Sequence, residues 1–207
     1  MVGLLALHEV VVGVPGSSAR VKLSGRVSAG ELAAVPAAPE VATAVARTVA
    51  GLAAPVSGRL VVGDRDVTGQ PPAGRQIGYV PAGGGLLPHL TVRANVEYGL
   101  RRRETVRELS RNWAATLTSR LELVPTLNLR PHQLSDGQRL RAAVARAAVC
   151  LPEVLVVDLP PGVETAVGLR DLLARASLPT APAMAVLVCT ADDDVPAGAD
   201  RTVTVVA

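Results

Sequence analysis

The spacing of hydrophobic and polar positions changes several times along the chain, and each change predicts an element. Val10–Val14, Ala19–Leu23 and Leu32–Val35 are short β-rich runs separated by Gly-Ser and Ala-Gly-Glu turns, and they predict strands. Residues 41–52 predict a helix closed by Gly51, with Pro55 beyond it. Ser57 to Val67 predicts a hairpin: Arg59–Val62, a Gly63-Asp64 turn, then Arg65–Val67. Ile77–Val80 predicts a further strand, followed by the Gly-rich loop Pro81–Pro88. From residue 91 to 130 the period becomes helical. Val92, Val96, Leu100, Val106, Leu109, Trp113, Leu117 and Leu121 recur at steps of three or four. After Pro131 the pattern predicts a helix near 136–149, a strand at 154–158, a helix near 165–176 and a strand at 185–189. The last strand is expected at Arg201–Val206.

Strands alternating with helices imply a mostly parallel sheet, hence an α/β fold. The run Val154–Val157 has no polar position, as a central strand buried on both faces requires. The whole of 1–207 is expected to form one domain. Residues 1–90 and 151–207 make its α/β core, and the helical insert 91–150 makes a second lobe. Aromatics are 1% of the chain and Phe is absent, so the core must be built from Val, Leu, Ile and Ala.

Charge narrows the function classes. The net charge of +3 comes from scattered arginines, and the one cluster, Arg101-Arg102-Arg103, is followed at once by Glu104. That reads as a solvated helix start. A nucleic-acid binder would show a basic stripe, often with stacking aromatics. Cys150 and Cys189 are isolated thiols in apolar surroundings and read as buried small hydrophobes in a reducing compartment. The opening Met1–Leu7 run lacks a basic leader and is broken by His8 and Glu9, unlike a signal peptide. The apolar run Pro182–Thr190 falls far short of the ~20 residues that cross a bilayer. A cytoplasmic protein without a membrane span of its own is expected.

Two stretches carry candidate chemistry. The first, Leu134-Ser135-Asp136-Gly137-Gln138-Arg139, opens the helix predicted near 136. Ser135 and Gln138 have the spacing of a capping box. A glycine in the first turn costs ~1 kcal/mol relative to alanine, so Gly137 points to close approach of something bulky. The second is Val154–Asp158, where Asp158 ends the apolar strand at the carboxyl edge, the place where α/β folds bind ligands. His8, His89 and His132 are isolated and lack metal-ligand or triad spacing. Asp192-Asp193-Asp194 reads as a solvated loop.

These stretches resemble the signature motif and Walker B strand of ATP-binding cassette (ABC) ATPases, and the resemblance runs over nearly the whole chain. Val49-Ala50-Gly51-Leu52, Pro55, Ser57-Gly58 and Asp66–Gly69 are similar to the segment after that family's phosphate loop. Ile77–Val80 and Leu86–Val92 are similar to its Q-loop region, Leu134–Asp158 to its signature helix and Walker B, and Ala199-Asp200-Arg201 to the start of its last strand. The resemblance is to import-type subunits. It implies a P-loop NTPase-like cassette with an N-terminal antiparallel β region and a helical lobe.

The same resemblance marks where this chain departs from its family. The phosphate loop falls on residues 36–44. Pro36 and Pro39 stand for glycines and offer no N–H, Val41 stands for a glycine, and Ala42 stands for the lysine. Glu40 puts a carboxylate where the anion docks, and only Thr43, at the Mg²⁺-ligand position, keeps its chemistry. The chain's one lysine, Lys22, lies on a predicted strand far upstream. Asp158 matches the Mg²⁺-holding aspartate, though a strand-end cap explains it as well. Leu159 stands at the catalytic glutamate, Ala82 at the Q-loop glutamine and Ala191 at the switch histidine. Thr165 falls near the D-loop aspartate, and the adenine-stacking aromatic is missing. In the family, the signature Ser135, Gly137 and Gln138 would face ATP held by a partner; Asp136 replaces a glycine there. The expectation is a degenerate ATP-binding subunit with no catalysis of its own. ATP and Mg²⁺ would enter only a composite site with an intact ATPase partner. A membrane permease would hold the assembly at the inner face of the cell membrane. The alternatives are a non-catalytic scaffold or regulator and an active transport ATPase.

Overall fold

The computed structural model describes residues 4–98, 100, 107–159, 168–177, 183–191 and 199–206. Thr165 and Asp192–Asp194 lie outside them.

Two sheets form the frame. In the antiparallel sheet, β1 (Leu5–Gly13) sits at the centre between β2 (Arg20–Val27) and β4 (Ser57–Val62). β5 (Arg65–Asp66) extends the β4 side, and β10 (Val205–Val206) pairs with β2. A bulge interrupts β1 between Leu7 and Val10, with Glu9 at φ 47°. Gly58 is required opposite it, since a Cβ there would lie 2.3 Å from the Glu9 carbonyl oxygen. The parallel sheet has the order β6 (Ile77–Val80), β7 (Val154–Asp158), β8 (Ala185–Thr190), β3 (Leu32–Pro36), β9 (Arg201–Thr202).

Alternation along the parallel strands produces two apolar clusters. Val154 and Val156 of β7 face one cluster, with α1 (Pro39–Val49) and the inner face of the antiparallel sheet. Leu155 and Val157 face the other, with α2 (Val92–Tyr98), α3 (Arg107–Arg120), α4 (Asp136–Ala148) and α5 (Leu169–Ala176). The apolar run of β7 is therefore buried on both faces, as its sequence predicts.

Boundaries differ from expectation at α1 and over residues 201–206. α1 begins at Pro39 rather than 41, because proline at the first helical position is already set to helical φ. The helix closes with Leu52 N donating to Arg47 O at 2.8 Å and Gly51 N to Thr48 O at 3.1 Å, a Schellman motif with Gly51 at φ 83°. The expected strand 201–206 divides instead. β9 joins the parallel sheet and β10 the antiparallel one, and the buried Val203 crosses between them, bonded to Ala34 O at 2.8 Å. Cys189 is buried as expected, whereas Cys150 is only partly buried.

Candidate functional site

The segment expected to be a phosphate loop is short. β3 ends at Pro36, the Ala37 amide donates to Thr190 O at 3.0 Å, and α1 starts two residues later. The amides of Val41 and Ala42 donate to Ala38 O at 2.8 and 2.9 Å, and Pro39 has none to give. Glu40 is exposed in the first turn, where its charge complements the positive end of the helix. The Ala42 side chain is 2% exposed and belongs to the cluster between the sheets. Val41 packs against the same cluster.

Thr43 and Asp158 do meet. Thr43 Oγ1 donates to Asp158 Oδ1 at 3.2 Å across 115 residues of sequence. Tyr79 Oη donates to Asp158 Oδ2 at 3.4 Å, and the Ala82 amide reaches the same carboxylate. Burial pushes the Asp158 carboxyl above the usual range, and these three hydrogen bonds, with nearby Arg47, partly offset it. Burial and then the Asp158 charge raise the Tyr79 phenol, and the same two causes raise the Cys189 thiol, leaving that sulfur inert. Tyr79 was legible only as an aromatic in an apolar strand; its hydroxyl is the signal that a buried partner was needed. Tyr79 also lines an open groove of about 730 Å³ along the edge strand β6, with Leu52, Ile77, Leu87 and Tyr98.

Leu159, one residue past Asp158, turns away. It is 3% exposed, packs in the helical cluster, and its amide donates to Cys189 O at 2.9 Å. Ala191 follows the end of β8 and is partly buried. Ala82 is exposed, and the loop after it is held by Arg146 of α4, which donates to Gly85 O at 2.6 Å and Gly84 O at 3.2 Å.

At the signature, Ser135 caps α4. Its Oγ accepts the Gln138 amide at 3.3 Å, and its own amide donates to Gln138 Oε1 at 2.9 Å, so the capping box is formed. Ser135 and Asp136 are exposed, Gly137 and Gln138 partly so, and Asp136 is ion-paired with Arg139. α4 and α1 pack in clusters on opposite faces of the parallel sheet. Thr43 and Asp158 therefore belong to one place in the chain and the signature to another.

A family profile described as ABC transporter matches residues 42–161. The chain belongs to the ABC transporter family. The match spans Thr43, the signature and Asp158. Among curated relatives, the cassette is 42% identical over 114 residues to the sn-glycerol-3-phosphate import ATP-binding protein of Rhizobium meliloti (strain 1021), covering 55% of this chain and 33% of that protein. It is 35% identical over 157 residues to a putative 2-aminoethylphosphonate import ATP-binding protein of Salmonella paratyphi A, covering 75% of this chain and 42% of that protein. The cassette thus spans less than half the length of these relatives. Among solved structures, cbiO1 from Clostridium perfringens, described as part of an ABC transporter complex, matches with TM-score 0.72 and 19% identity, over 94% of this chain and 81% of that one. A nucleotide-free ATP-binding cassette from an ABC transporter matches with TM-score 0.68 and 16% identity, over 91% and 81%. These likenesses show that the fold is the ABC ATPase cassette, an α/β parallel sheet beside an antiparallel one.

Proposed function

We propose that this cassette is an importer subunit that does not hold or hydrolyse ATP at its own Walker site and lends its signature to an intact partner ATPase. The observation that carries the reading is the first turn of α1. A phosphate cradle needs free backbone N–H groups and a cation aimed at the anion. Here Val41 N and Ala42 N are spent on Ala38 O, Pro39 has no N–H, and Glu40 offers a carboxylate. Thr43 and Asp158 keep the two oxygen groups a Mg²⁺ would take, but Asp158 already accepts from Thr43 and Tyr79. The residues present do not fit Mg-ATP. Leu159, packed in the core, can neither accept a proton nor orient water.

The signature half points the other way. Ser135 is exposed at the start of α4, where the helix dipole favours an anion, and Arg139 already balances Asp136. The partner would supply ATP and Mg²⁺, and a permease would supply the membrane; among the described residues no helix is long and apolar enough to cross a bilayer. The assembly would work at the cytoplasmic face. The named relatives import chemically different solutes.

The test is ATP turnover by the purified chain alone and mixed with an intact cassette partner. The lone chain is expected to show none above a control lacking it. The mixture is expected to turn over ATP, and Ser135→Ala or Gly137→Ala to abolish that activity. Turnover by the lone chain would overturn the proposal. Turnover of the mixture that survives both substitutions would favour a scaffold that touches no nucleotide.

A further inference from the structure

Three arginines lie on α4, and two of them are committed to neighbouring elements. Arg141 donates to Glu122 Oε2 at 2.8 Å, and Arg146 donates to the Gly85 and Gly84 carbonyls at 2.6 and 3.2 Å. The third, Arg139, turns back along its own helix and pairs with Asp136. Side chains on a helix lean towards its N-terminus and positions three apart share a face, so this pair closes at the start of α4.

The cap of α4 does not use the Asp136 side chain. Ser135 is the N-cap, and its box closes with Gln138. The Asp136 side chain is 82% exposed and that of Arg139 41%, and a pair this wet adds little to folding stability. What it alters is the field in front of Ser135 and Gly137. The positive end of a helix is worth about half an elementary charge. The Asp136 carboxylate carries a full negative charge and outweighs it. Arg139 cancels the carboxylate, and the helix end then decides the sign. With Arg139 in place the first turn of α4 attracts a phosphate; without it the same turn repels one.

We propose that Arg139 lets an aspartate-bearing signature face a triphosphate: its guanidinium neutralises Asp136, and the affinity for ATP held by the partner depends on that pair. The inference rests on the role of the signature proposed above. Arg139 acts through Asp136, so it is a positioning residue: it changes how well ATP is held and leaves the chemical step to the partner's groups.

The test is steady-state ATP turnover by the full chain mixed with an intact cassette partner, with KM and kcat read separately. Arg139→Gln is expected to raise the KM for ATP roughly tenfold at low salt with kcat little changed. The effect is expected to shrink in about 1 M NaCl, where screening acts within ~3 Å. Arg139→Lys keeps the charge and is expected to keep the parent's KM. Asp136→Gly combined with Arg139→Gln removes both charges and is expected to return KM to the parent's value or below, a rescue that a merely structural arginine would not show. A parental KM in Arg139→Gln would overturn this coupling and leave the role of the signature standing. So would a double variant no better than Arg139→Gln alone. Parent turnover that survives Ser135→Ala and Gly137→Ala, or no turnover by any mixture, would remove the role of the signature and this coupling with it.

Discussion

A carboxylate introduced at position 159 should destabilise this protein. Leu159→Glu is the perturbation. The Leu159 side chain is 3% exposed inside the helical cluster. Burying a leucine is worth about 1.5–3 kcal/mol, which the change forfeits in part. Among the described residues its surroundings are the apolar side chains of the helical cluster, and burying an unpaired charge costs several kcal/mol unless it takes up a proton. Its neighbour Asp158 is itself a buried carboxyl, 4% exposed, and opposes a second negative charge. Together these give a loss of about 3–5 kcal/mol at neutral pH, a large part of the ~5–15 kcal/mol of a typical domain. At ~2–4 °C per kcal/mol for a chain of this size, the melting temperature should fall by roughly 10 °C.

The assay is thermal melting followed by circular dichroism across pH, with Leu159→Gln as the uncharged control, alongside ATP turnover. The folded-state pKa of the new glutamate would be raised above its unfolded value of ~4.3. Its penalty is therefore smallest below that value and grows as pH rises through the shifted pKa. The Leu159→Gln penalty should be flat with pH. A Leu159→Glu chain that melts within about 2 °C of the parent at neutral pH would refute the inward orientation of residue 159. Turnover by that chain alone would refute both the orientation and the proposed loss of activity.

Other outcomes follow from single side chains. Arg75 is 2% exposed and donates to Gln70, Thr48, Val49 and Thr68 carbonyls, so Arg75→Met should cost about 3–5 kcal/mol in urea unfolding by orphaning them. Asp200 has its carboxyl held below the usual range by the Leu32 amide and Arg170; that stability is present at neutral pH and lost as pH falls through the folded-state pKa. Asp200→Asn should accordingly flatten the acid limb of the stability curve. Asp158 is shifted the opposite way, so its contribution is greatest in acid and declines as pH rises. The stability advantage of the parent over Asp158→Asn, measured by denaturant titration, should shrink with rising pH.

Much of the architecture was readable along the chain because burial has a period. The unbroken apolar runs of β7 and β8 could only be strands covered on both faces, and both are fully buried. Ser135 and Gln138 announced the start of α4 because a capping box is local chemistry closed within one turn.

Other features depend on which segments meet, and periodicity carries no information about that. Thr43, Tyr79 and Asp158 share one carboxylate from three distant elements. The segment after Asp200 reads as one strand, but its halves go to different sheets because each finds a different open edge. Arg75 looks like a surface residue until the end of α1 presents carbonyls that need a donor. Glu122 looks like an ordinary helix-end glutamate, and only the completed fold pairs it with Arg141 of α4 and Arg175 of α5. Local propensity selects an element and the face it buries. Long-range partners set the state of polar groups, because a hydrogen bond or ion pair forms only between atoms that the completed fold brings within about 3 Å.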